Sequence, residues 1–145
     1  MNELGKKELK NGDANSYVCK SENGLQALVW DYVYPEKGYL YNQDYFDKIQ
    51  ISHQHQKVSL NISNVKNGKY RLEIYKIGYQ ANDPYSTYIK MGKPANLDKQ
   101  QLAELQQQAS GTPISVNTVN INDGKFKYDF TLRDNDVVFI KLVKI

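Results

Sequence analysis

Seven short runs in this chain alternate apolar with polar residues, and turn-forming residues separate them at short intervals. A strand with that period buries one face and must lay it against another sheet, so the spacing predicts an antiparallel β-sandwich, immunoglobulin- or fibronectin-like. The first run starts near Asn15, with Tyr17 and Cys19 alternating with Ser16, Val18 and Lys20, and ends at the turn Ser21-Glu22-Asn23-Gly24. The second, from Leu25 to Tyr34, is nearly all apolar, which predicts a central strand covered on both faces. Pro35 stops it, because proline cannot donate to a ladder.

From Pro35 to Gln56 the sequence reads as a long loop or strand-edge excursion rich in tyrosine. Strict alternation returns from Lys57 to Ser63, and Asn67-Gly68 after it is a strong hairpin signal. From Lys69 to Ile77 the pattern puts Tyr70, Leu72 and Ile74 on one face and Arg71, Glu73 and Tyr75 on the other. The last three runs are Pro113 to Ile121, Lys125 to Leu132 and Val137 to Ile145, separated by Asn-Asp-Gly and Arg-Asp-Asn-Asp.

One helix interrupts the strands. Asp98 stands at the N-cap with Gln101 three residues later, an acidic form of the capping box, and Leu97 and Leu102 are placed as a staple. Leu102, Leu105 and Ala109 make a narrow apolar stripe. Gly111 suits the left-handed residue that ends a helix, and Pro113 prevents resumption. A helix this short must lean on something, so the stripe is expected to cover an edge or end of the sandwich. Leu105→Ala would then cost about 2–5 kcal/mol.

Composition narrows the function classes. With 145 residues the chain suits one domain, and a net charge of +3 is too small to argue for nucleic acid or an anionic membrane surface. No apolar run approaches a membrane span. Cys19 is the single cysteine, so no internal disulfide forms, and it reads as a small buried hydrophobe. The stretch from Met1 to Asp13 lacks the apolar core of a signal peptide, which leaves the compartment unknown for a fragment.

The candidates for chemistry are few. His53 and His55 form an H-x-H, but a metal site needs three or four ligands, and only Asp44 and Asp47 could approach; a polar turn is the better reading. Asp31 lies in an apolar run and reads as a buried carboxylate bonded to a turn rather than as a general acid. Tyr32, Tyr34, Tyr39, Tyr41 and Tyr45 cluster around the long loop. They could stack on sugars or pack on a neighbouring domain, since tyrosine joins an apolar body to a polar tip. Nothing calls for a cofactor.

The stretch from Asp83 to Pro113 resembles the C-terminal β-domain of glycoside hydrolase family 39, the β-xylosidase and α-L-iduronidase family. Tyr85, Met91, Gly92, Pro94 and Leu97 match its Met-Gly-x-Pro helix segment. Asp83 and Pro84 replace Asn-Ala, Tyr88 stands for Trp, and Asp98 replaces the hydroxyl cap. Leu28 to Tyr32, the glycine–tyrosine strand starting at Gly68, and the closing strand resemble further family strands. Asn2 to Leu9 resembles the end of the last barrel helix, which makes residues 1–14 a linker and 15–145 the sandwich. The resemblance implies a non-catalytic accessory domain that packs on the (β/α)8 barrel of its own parent polypeptide, a retaining glycosidase. The family's chemistry needs two glutamates about 5–5.5 Å apart on that barrel. A barrel takes about 250 residues. The alternative is an autonomous carbohydrate-binding sandwich using Tyr39, Tyr41 and Tyr45. A homo-oligomer is left open.

Overall fold

The computed structural model describes residues 7–8, 15–33, 49 and 52–145. Its strands in chain order are β1 (Lys7–Glu8), β2 (Ser16–Ser21), β3 (Gly24–Trp30), β4 (Gln54–Ser63) and β5 (Gly68–Ile77), then β6 (Ser115–Ile121), β7 (Lys125–Arg133) and β8 (Val137–Lys144). Two helices, α1 (Pro84–Lys90) and α2 (Lys99–Gln108), separate β5 from β6. Six strands pair in the order β1-β2-β3-β8-β5-β6, and β4 and β7 form a second sheet. Every pairing is antiparallel.

Alternation builds the core. Leu25, Ala27 and Val29 of β3, Tyr70, Leu72 and Ile74 of β5, and Val138, Ile140 and Leu142 of β8 are buried on one face of the large sheet. Ile62, Phe126 and Leu132 close over them from the small sheet, with Val58, Leu60, Tyr128 and Phe130 half-buried beside them. Gly24 permits one close approach. It sits at φ +146°, and a Cβ there would lie 1.8 Å from the backbone oxygen of Leu142.

Several expectations need correction. Asn67-Gly68 does not close a hairpin, because β4 pairs with β7 while β5 pairs with β6 and β8. The chain crosses between sheets there, and Asn67 ties that crossing to the next one. Its Nδ2 donates to the Asn122 carbonyl at 2.9 Å, and its Oδ1 accepts from the Gly124 N–H at 2.9 Å. Side-chain bonds to a neighbouring loop thus replace the turn that the dipeptide forms locally. The run from Leu25 leaves the sheet after Trp30 rather than reaching Tyr34, and Leu28 on its outer face is 37% exposed. β4 starts at Gln54, three residues before its strict alternation. At the N-terminus, Lys7 and Glu8 pair with Lys20 and Cys19 as strand, where a helix end was expected. All seven alternating runs form strands, with these shifts in their bounds.

The helical region departs most. The capping box at Asp98 is present in both directions, with Gln101 N–H to Asp98 Oδ1 at 2.8 Å and Asp98 N–H to Gln101 Oε1 at 3.0 Å. No residue of α2 is buried, however, and Leu102 is 45% exposed. The helix packs on α1, which the sequence reading missed, and does not cover the sandwich. Leu105→Ala is therefore expected to cost less than the roughly 2–5 kcal/mol of a fully buried leucine. Asp98→Ala should cost about 0.5–2 kcal/mol, felt in α2. Urea melts of both variants check this order.

Candidate functional site

In an antiparallel sandwich the outward face of each strand is ordinarily polar. On the six-stranded sheet part of it is apolar instead. Tyr17 lies opposite Leu28, Leu28 opposite Phe139, and Phe139 opposite Tyr75, so one apolar row crosses β2, β3, β8 and β5. The Tyr75 and Phe139 rings meet at 5.7 Å between centroids. Trp30, Val137 and Ile77 form a second row across β3, β8 and β5. Tyr17 is 45% exposed and Ile77 59%. The core-facing residues of these strands were legible as period-two positions. The outward Leu28, Val137 and Phe139 were missed, although "LVW" and "VVF" show apolar residues at both parities.

Beside the first row lies an ionic cluster. Glu73 is buried although it faces outward, and its carboxylate accepts from Tyr75 Oη at 2.8 Å. It also pairs with Arg71 Nε at 2.8 Å and Lys141 Nζ at 3.3 Å. The Tyr75 hydroxyl, ahead of the opposing effect of burial and with help from Lys141 and Arg71, holds the Glu73 carboxyl below the usual glutamate range. The same bond, with burial, pushes the Tyr75 phenol up, because its ionisation would set two anions side by side. A carboxylate whose pKa is lowered by folding contributes stability above its unfolded pKa and loses it as pH falls through the folded value. Wild type should thus lose stability through and below the ordinary glutamate range more steeply than Glu73→Gln, in melts taken across that window.

At one end of the sandwich, the turn from Arg133 to Asp136 grips both stems of the connection between β3 and β4. On the outgoing stem, Val33 N–H donates to Asn135 Oδ1 at 3.0 Å and Asp31 N–H to the Asp136 carbonyl at 3.0 Å. On the returning stem, His53 N–H donates to Asp134 Oδ2 at 2.8 Å and Arg133 Nη1 to the Ser52 carbonyl at 2.9 Å. Asp136 is fully buried, and its Oδ2 takes Lys76 Nζ at 2.6 Å and the Arg133 N–H at 2.8 Å. The guanidinium of Arg133 also lies over the Tyr79 ring, 5.8 Å from its centroid. Asp134 to Asp136 were read only as a turn, since nothing local reveals that they would hold distant backbone.

The family-motif residues have local roles in the 78–114 excursion. Asp83, the N-cap of α1, accepts the Ser86 N–H at 3.0 Å, and Pro84 occupies the first turn, where it needs no donor. Tyr85 is the next residue, 36% exposed. Met91 caps the C-terminus, and Gly92 takes φ +83°, the left-handed conformation that stops a helix. Tyr88 Oη then donates to the Pro94 carbonyl at 3.4 Å. Asn82 Nδ2 joins the stems by donating to the carbonyls of Lys76 and Thr112. The Met-Gly-Lys-Pro segment thus ends one helix and leads to Leu97 and Asp98, which start the next; Leu97 stays 38% exposed.

The tyrosines proposed for sugar, Tyr39, Tyr41 and Tyr45, lie outside the described residues, as do Tyr34, Asp44 and Asp47. Tyr32 is 67% exposed. His53 Nδ1 sits 3.1 Å from Asp134 Oδ2, and no group of three or more His, Cys, Asp or Glu that could hold a metal occurs among the described residues. Cys19 is half-buried and faces outward opposite Gln26, so it is not the core residue expected.

No protein-family model matches the chain, and no curated protein matches it. Solved structures do. A GH39 enzyme from Xanthomonas axonopodis pv. citri matches with a TM-score of 0.91 at 30% identity, over 98% of this chain and 28% of that one. A monomeric β-xylosidase from Caulobacter crescentus CB15 matches with a TM-score of 0.90 at 26% identity, over 99% of this chain and 29% of that one. A bacterial orthologue of human α-L-iduronidase shares the fold, with a TM-score of 0.68 at 12% identity over 94% of this chain and 23% of that one. The chain spans less than a third of the length of each. What it is similar to, over nearly its whole length, is the C-terminal β-sandwich region of glycoside hydrolase family 39 enzymes.

Proposed function

We propose that the chain is a non-catalytic C-terminal accessory domain of a family 39 glycoside hydrolase, which packs on and supports a (β/α)8 barrel in the same polypeptide. One observation carries this reading: the match covers 98% of this chain and only 28% of the Xanthomonas enzyme. The remaining length of such an enzyme is ample for a barrel of about 250 residues. The Caulobacter relative is a monomeric β-xylosidase. The reading therefore takes xylosides as the parent's substrate class and the parent's own barrel, rather than a second copy, as the partner.

The retaining reaction needs an acid/base and a nucleophile, two carboxyls facing one glycosidic bond. On this reading both belong to the barrel. The purified 145-residue chain is accordingly expected to release no aglycone from aryl β-xylosides above buffer. Turnover that persists through repurification would overturn the assignment. Binding on a glycan array that is lost in Tyr39→Ala would replace it with an autonomous sugar-binding module.

A further inference from the structure

We infer that the outer face of the six-stranded sheet is the surface on which the rest of the parent polypeptide docks, an inference that rests on the accessory-domain reading. The face carries two adjoining apolar rows, Tyr17–Leu28–Phe139–Tyr75 and Trp30–Val137–Ile77. With strands about 4.8 Å apart, the first row runs roughly 14 Å across four of them. Leu28 and Ile77 remain 37% and 59% exposed, so no described element covers this part of the face. Contiguous apolar surface rimmed by polar groups marks an interaction site.

Three observations favour the parent polypeptide as the occupant. The matched enzymes carry more than twice this chain's length outside the shared region. β1 sits at the β2 edge of the same sheet, with Lys7 opposite Lys20, so any polypeptide joined ahead of it reaches the domain at an edge of this sheet. The third is charge. Arg71 and Lys141 surround the single buried carboxylate of Glu73, and Arg71 keeps half its side-chain surface in solvent. The cluster therefore presents one positive charge in excess, and the complementary surface is apolar with an acidic rim.

The test uses this chain and the catalytic barrel that the accessory-domain reading places ahead of residue 1, purified separately and mixed in titration calorimetry. Leu28→Lys and Ile77→Lys place a charge on the apolar rows at sites already exposed. Asn61→Lys places the same charge on the outward side of β4, in the other sheet, as a control. Urea melts first establish which variants fold like wild type, and having two row variants keeps the test open if one does not. Wild type and Asn61→Lys binding, with at least a tenfold loss in the folded row variants, is the expected result. Equal binding by all four proteins would overturn the face assignment and leave the accessory-domain reading intact. Failure of wild type itself to bind, or the absence of any upstream barrel, would overturn both. Self-association of wild type that the row variants abolish would assign the face to a second copy and overturn the inference.

Discussion

Asp136→Ala is expected to destabilise the chain by about 3–5 kcal/mol, the range for removing one partner of a buried ion pair. Asp136 has no solvent exposure, and Lys76, whose Nζ is 2.6 Å away, keeps only 18% of its side-chain surface in water. Truncation strands that ammonium and removes the acceptor of the Arg133 N–H. The other carboxylate oxygen, Oδ1, has no hydrogen-bond partner among the described residues, and it packs where a Cβ on Gly78 would fall, 2.0 Å away. No larger residue than glycine therefore fits at 78 while Asp136 keeps its place. Lys76→Met with Asp136→Leu replaces the pair by apolar groups, and this double variant should lose less than Asp136→Ala alone. Urea melts of the three proteins give the comparison. If Asp136→Ala melts within about 0.5 kcal/mol of wild type, as surface changes do, the pair does not close this end of the sandwich.

Tyr70→Ala is the second large effect, about 3–5 kcal/mol, as for other large aromatic truncations in cores. Tyr70 is fully buried on β5, between Lys144 of β8 and Val119 of β6 in the ladder. Its hydroxyl donates to the Lys66 carbonyl at 2.6 Å, on the segment that crosses from β4. The ring fills the core, and the hydroxyl fastens the crossing. Tyr70→Phe separates the two roles. It keeps the ring and should cost only about 0.5–1.5 kcal/mol, the net worth of one hydrogen bond. Equal losses in the two variants would mean that the bond, rather than the packing, holds this position.

Period-two alternation was enough to determine seven strands and most of their buried faces, because side-chain direction in a strand depends only on parity. Tyr70, Leu72 and Ile74 are inside for that reason. The capping box at Asp98 was equally legible, since it joins residues three apart. A tertiary choice decided which strands pair. Asn67-Gly68 carries a hairpin signature, yet β4 and β5 belong to different sheets, and Asn67 spends its side chain on Asn122 and Gly124. Sequence distance hides such bonds.

The candidate site was legible only in part for the same reason. The apolar outward residues of β3 and β8 are visible one strand at a time, but a row exists only once β8 lies between β3 and β5. Glu73 reads only as a residue on the same face of β5 as Arg71 and Tyr75; Lys141, from a strand far along the chain, completes the cluster around a carboxylate that Tyr75 already holds. The stripe of α2 predicted a helix correctly and its burial wrongly, because periodicity reports which face is apolar and not what covers it. Much of the local geometry, set by residues within four of one another, was therefore legible in the sequence, α1 with its cap at Asp83 excepted. Contact between elements, set by which surfaces find each other in the folded chain, was decided by the tertiary structure alone.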